Sequence, residues 1–267
     1  MELASPMPHA CSLSRCSLTT AASALAAFVA LARAVDQRLL SASDHALRDQ
    51  VQSVRTPASD GAATAVGPLG KEWLHGPVAV GISIHLWSHG AGLRSALPAV
   101  ASAVSAIGSA LFEHTTHIQK PPPGHPSPYE PSFPSGHAFE SSAVGLTSAY
   151  VLAREGMVNP VPAFAAAVTL SLASTAGRAY LDRHWGSEAC GGWLLGIATA
   201  TTCSAVYECS RTKNESAAPR PSGEVRRTDR TWRPMPDDVI FRLSPHGGPP
   251  PEAEILSTRN AQPTLPN

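Results

Sequence analysis

The sequence is poor in charge. Asp, Glu, Lys and Arg make up 15% of its 267 residues, and 20 acidic side chains balance 20 basic ones. A soluble protein usually carries about a quarter. A net charge of zero offers no broad basic surface for a phosphodiester backbone, so no nucleic-acid partner is expected. Cysteines stand at 11, 16, 190, 203 and 209, an odd number without metal-ligand spacing, and read as small hydrophobes or idle thiols. A glycine-rich phosphate loop, a Cys/His metal signature and an internal repeat are all missing. The expectation is a chain with no metal and no cofactor.

What is present is a series of uncharged runs: 16–32, 73–93, 95–112, 156–177 and 189–207, with a shorter one at 141–153 that lengthens if its helix begins at His137. A helix needs roughly 17–25 residues to cross about 30 Å of hydrocarbon. Six candidate spans follow, and with them an all-α, six-helix transmembrane bundle. The runs are built from Ala, Gly, Ser and Val, as in "LPAVASAVSAIGSALF", and such small residues allow close helix approach. A soluble bundle of buried helices is the alternative, and so many charge-free runs of spanning length argue against it. The first run also resembles a signal peptide, with Arg15 before an apolar core and "ALARA" ending at Ala34. An uncleaved anchor is preferred because an even number of spans returns both termini to one side.

With the N-terminus in the cytoplasm, Arg15, Arg94, Arg154 and the Arg-rich tail all face inward, in keeping with the positive-inside rule, while the segment 38–71 carries further bases outside. The organisation expected is an N-terminal arm at 1–15, a membrane domain at 16–209 and a disordered Pro/Arg-rich tail at 210–267, whose composition cannot bury enough apolar surface to offset its ordering entropy. Glu140, one turn inside the fourth span, is expected at the interface, and Trp185 and Trp193 as interfacial anchors.

Two outward loops carry the chemistry. One contains "EPSFPSGHAFESSA", the other "GRAYLDRHWGSEACGGW". Pro134 disfavours helix in the residue before it, so Ser135 and Gly136 sit at a helix start whose free N–H groups form an anion site. Lys120 and Arg178 add charge, Arg with a fork that suits phosphate oxygens. His184 and Glu188 are four apart, so on a helical turn the carboxylate can hold one ring nitrogen while the other attacks. His137 could protonate a leaving oxygen and later activate water.

"PSFPSGH" and "GRAYLDRHWGSE" resemble the second and third signature motifs of the type 2 phosphatidic acid phosphatase (PAP2) superfamily, shared with vanadium haloperoxidases and bacterial acid phosphatases. The resemblance covers roughly residues 36–207. It implies a multi-pass phosphatase of the plasma membrane, its site on the extracytoplasmic face, acting without a metal on a lipid phosphate or an isoprenyl pyrophosphate such as undecaprenyl pyrophosphate. By position, it makes His184 the nucleophile that forms a phosphohistidine, His137 the general acid and Glu188 the residue orienting His184. Lys120, Ser135, Gly136 and Arg178 become the phosphate ligands.

Three positions depart from the family pattern. The first motif, Lys, six residues, Arg-Pro, is matched by Glu113, six residues, Lys120-Pro121, with His114 or His117 as possible replacement bases. Gly177 stands where the third motif has Ser, and Glu188 where it has Asp. Other functions compatible with these residues are a non-catalytic relative that binds phosphorylated lipid or acts as a scaffold, a phosphotransferase, and a vanadate-dependent haloperoxidase. The sequence leaves the lipid and the oligomeric state open.

Overall fold

The computed structural model describes residues 8–115 and 133–217. Among them the chain is helical without strands: α1 (Pro8–Asp36), α2 (Ser41–Ser53), α3 (Pro57–Val66), α4 (Glu72–Ser88), α5 (Leu97–Thr115), α6 (Gly136–Arg154), α7 (Pro160–Tyr180) and α8 (Gly186–Ala217). Short 3-10 turns at Gly67–Gly70 and Gly92–Ala96 precede α4 and α5. The tail expected to be disordered from residue 210 is instead helical over 210–217 as the end of α8, and residues 218–267, Lys120 and His117 lie outside the described residues, as do the side chains of Glu113 and His114.

Among the described residues, four segments are long and apolar enough to cross a membrane: Leu13–Asp36, Gly92–Phe112, Pro160–Tyr180 and Gly186–Thr212. Helices α4 and α6 complete a set of six long ones but fall short of that standard, α4 by length and α6 by His137, Glu140 and its serines. The run expected to stay helical to Leu93 stops at Ser88, because Gly90 (φ 84°) and Gly92 (φ 61°) take the left-handed conformation that glycine tolerates best.

Polarity is distributed as in a membrane protein. Leu18, Leu25, Ile107, Leu111, Val161 and Leu170 are exposed, whereas Ser105, Ser135, Ser142, Ser174, Glu188 and Glu208 are fully buried. In water that arrangement would leave apolar side chains solvated around a polar interior; in hydrocarbon it satisfies both.

Helix α6 is central, packed against α5, α7 and α8, while α1 lies along α8. Close approach rests on small residues. Ser141 Oγ donates to the His137 carbonyl and meets Ser171 Oγ across the α6–α7 contact, both at 2.6 Å. Gly192 and Gly196 of α8 abut the backbone of α6 at Ser135 and Ala143.

Apolar clusters flank this seam. Phe28, Phe133, Phe139, Ala143 and Leu195 pack near the first turns of α6, and Leu86, Leu97, Ala101, Val151, Cys203 and Tyr207 near its last. The last turns also carry an ionic network. Buried Glu208 accepts from Tyr150 at 2.7 Å and pairs with Arg154 at 2.7 Å, and Glu155 pairs with Arg94 at 3.5 Å. Arg94 and Arg154 thus gather at the end of the bundle opposite Ser135.

Candidate active site

The mouth of α6 is built by its own sequence. Ser135 is extended (φ −64°, ψ 111°) and caps the helix, its Oγ accepting from the Ala138 N–H at 3.4 Å. The Ser135 N–H donates to the Glu188 carbonyl oxygen at 3.0 Å, which ties this mouth to the first turn of α8. Gly136 faces Ser109, whose Oγ would lie 3.2 Å from any added Cβ. The next residue is His137.

The second half of the site comes from the end of α7. Arg178 occupies its last turn. Leu181, Asp182 and Arg183 fold back on the helix through N–H bonds to the carbonyls of Gly177, Ala179 and Arg178, with Asp182 at φ 55°. This reversal delivers His184 directly ahead of α8. His184 Nδ1 lies 2.8 Å from Glu188 Oε2, and the same oxygen accepts the Trp185 N–H at 3.1 Å. A carboxylate at Nδ1 leaves the Nε2 lone pair as the nucleophilic one.

The two histidine rings stand 6.2 Å apart, centroid to centroid, tilted by 56°. Among the described residues, His137 Nε2 and Arg178 Nε are buried without a hydrogen-bond partner. Two buried polar atoms left open beside a second histidine point to a ligand with acceptor oxygens. His137, in the first turn of α6 and outside the four apolar segments, has its pKa lowered, first by burial and then by the charges of Arg178, His184, Lys71 and His75. An arriving anion would act in the opposite direction.

Six of the seven residues expected at the site therefore meet: Ser135, Gly136, His137, Arg178, His184 and Glu188. Lys120 is the seventh, outside the described residues. Glu140, expected at the interface, is instead buried and accepts from Ser102 Oγ of α5 at 3.1 Å. Trp185 packs on His45 of α2 at 4.8 Å between ring centroids.

What sequence reasoning missed is the platform beneath the second loop. Asp44 of α2 accepts from the Ser187 N–H at 3.0 Å and from Ser187 Oγ at 2.6 Å, capping α8 from 143 residues away. One turn on, Arg48 Nε donates to Asp182 Oδ1 at 2.8 Å, Gln52 donates to the Tyr180 carbonyl at 3.1 Å, and Arg55 stands 3.6 Å from Asp182. Ser59 of α3 bonds the Tyr180 hydroxyl. Asp44, Arg48 and Gln52 recur every fourth residue, so the stripe was visible; its partner was not.

Gly177 has a packing reason. A Cβ there would lie 2.8 Å from Val66 Cγ2 and 3.0 Å from the Ala63 carbonyl oxygen, so α3 seats directly against it. Gly177→Ser, which restores the motif, is therefore expected to lower stability by about 1–3 kcal/mol by overpacking, without a gain in activity. A melting curve in detergent that falls by several degrees would bear this out, and an unchanged curve with faster turnover would refute it.

Residues 98–212 match the family model for the PAP2 superfamily. A solved structure described as the first transmembrane PAP2 type phosphatidylglycerolphosphate phosphatase from Bacillus subtilis is similar in fold, with a TM-score of 0.60 at 19% identity, over 76% of this chain and 98% of that one. No curated protein matches the chain.

Proposed function

Because residues 98–212 match the PAP2-superfamily model, we propose that this membrane protein is a phosphatase of phosphorylated lipids, phosphatidate-like or isoprenyl pyrophosphate, working through a phosphohistidine. The observation that carries the reading is the His184–Glu188 pair at 2.8 Å, set beside His137 with its ring centroid 6.2 Å away.

The substrate phosphoryl group sits at the mouth of α6, held by Arg178, the Ser135 hydroxyl and the backbone of Gly136, with Lys120 of the first motif. His184 Nε2 attacks phosphorus, and Glu188 stabilises the charge that grows on the ring. As the P–O bond to the lipid breaks, His137 gives its proton to the departing oxygen. Water then adds to phosphorus with His137 taking its proton, the P–N bond breaks, and inorganic phosphate leaves with His184 regenerated. The negative phosphate offsets the burial and cationic surroundings that oppose protonation of His137.

Arg94 and Arg154 at the far end of the bundle favour a site facing away from the cytoplasm. Gly177, a departure that favoured a non-catalytic relative, is accounted for by its contact with α3.

These steps use only groups of the chain itself, so detergent-purified protein should release phosphate from a panel of lipid phosphates and isoprenyl pyrophosphates with EDTA present. Release from one class names the substrate. Failure of well-folded protein to release phosphate from any of them would sink the reading in favour of a binding or scaffold role.

A further inference from the structure

The family pocket loses one base at Glu113, yet the fold brings another cation to His137 from a segment the family match does not include. The 3-10 turn Gly67–Gly70 packs on α6 and α7. Gly70 is buried, and its missing Cβ would touch Ser174 Oγ and lie 3.2 Å from both Cβ and Cδ2 of His137. Only glycine lets this backbone rest on the histidine. The turn is fixed from the α4 side by His75, whose Nε2 lies 2.7 Å from the Leu69 carbonyl oxygen.

Lys71 follows directly, with its Cα about 3.8 Å further on. It is extended (φ −82°, ψ 140°) and exposed, and among the described residues its ammonium has no hydrogen-bond or ion-pair partner. Its charge nonetheless acts on His137, together with those of Arg178 and His184. A flexible four-carbon stem ending in three donors, anchored one residue past the glycine that rests on His137, suits a phosphoryl oxygen.

Resting on the phosphatase reading, we propose that Lys71 is a substrate-phosphate ligand, a cation delivered from the turn before α4 that takes over from the first-motif base missing at Glu113. With Arg178 at the end of α7, it lets the phosphoryl group be gripped by cations from two different elements beside His137. An unpaired surface lysine with a purely solvated role would not respond to ligand.

The test uses full-length protein in detergent as wild type, Lys71→Gln and Lys71→Arg, with orthovanadate as the phosphate mimic and phosphatidate micelles as substrate. Without ligand, all three should melt together. The vanadate-induced rise in Tm should shrink in Lys71→Gln and return in Lys71→Arg. Lys71→Gln should also lower kcat/KM about tenfold, mostly through KM, as expected for a charge-assisted contact shared by ground and transition states. Equal vanadate shifts in wild type and Lys71→Gln would overturn the proposal. If wild type binds vanadate but releases no phosphate, the hydrolase reading fails while the vanadate shifts still decide Lys71. A wild type that does neither overturns both.

Discussion

His184→Ala is expected to lose at least about 10⁴-fold in phosphate release while keeping its melting temperature within a few degrees, since removing an attacking atom leaves only binding and positioning. The ring is nearly buried and bonded to Glu188 at 2.8 Å, and the Glu188 carboxylate keeps the Trp185 N–H at 3.1 Å as a partner when the imidazole is gone. The fold therefore has a reason to survive. Trapping is the sharper readout. Wild type quenched during turnover of a labelled lipid phosphate should carry an acid-labile, base-stable phosphoryl group, and His184→Ala should carry none. A variant that still turns over at near wild-type rate would remove the nucleophile from the mechanism.

The second large effect is expected at a residue that takes no part in the chemistry. A Cβ on Gly192 would run into the Ser135 carbonyl oxygen and lie 2.8 Å from Ala138 Cβ and 2.9 Å from the Phe139 nitrogen. That carbonyl accepts the first bond of α6, from the Phe139 N–H at 3.0 Å, so a methyl group there wedges α8 away from the turn that carries Ser135, Gly136 and His137. Backbone cannot rotate aside as a side chain can. Gly192→Ala should cost about 1–3 kcal/mol by overpacking and, by shifting the cradle, about 10²-fold in kcat. Gly61→Ala is the matched control, because nothing lies within 4 Å of its added methyl. A helix-interior alanine there should be neutral or stabilising by up to about 1 kcal/mol. If Gly192→Ala behaves like Gly61→Ala in melting and in turnover, close α6–α8 contact does not hold the site.

How much of this was legible beforehand varies with the distance over which a feature is encoded. The His184–Glu188 pair is a four-residue spacing that any helical turn places on one face. Ser135 at a helix mouth follows from Pro134 and the small residues after it. Both were readable, and both recur in the structure. Helix α4 was misjudged in length because hydropathy does not register that Gly90 and Gly92 stop a helix by their backbone angles. Glu140 was assigned to the interface because one residue gives no sign of its partner, and Ser102 lies 38 residues away.

By itself, then, the sequence determined that the chain is a helical membrane bundle and which histidines, arginine and carboxylate could serve a phosphoryl group. Those properties reside in composition and in spacings of a few residues, where helix geometry alone dictates the outcome. Only the tertiary structure decided that α2 and α3 hold the His184 loop, that Gly177 and Gly192 are contact points, and that Gly70, the residue before Lys71, rests on His137. These depend on packing between segments as much as 143 residues apart. Such contacts leave no period in the chain, because each is set by the joint shape of two surfaces rather than by the repeat of one.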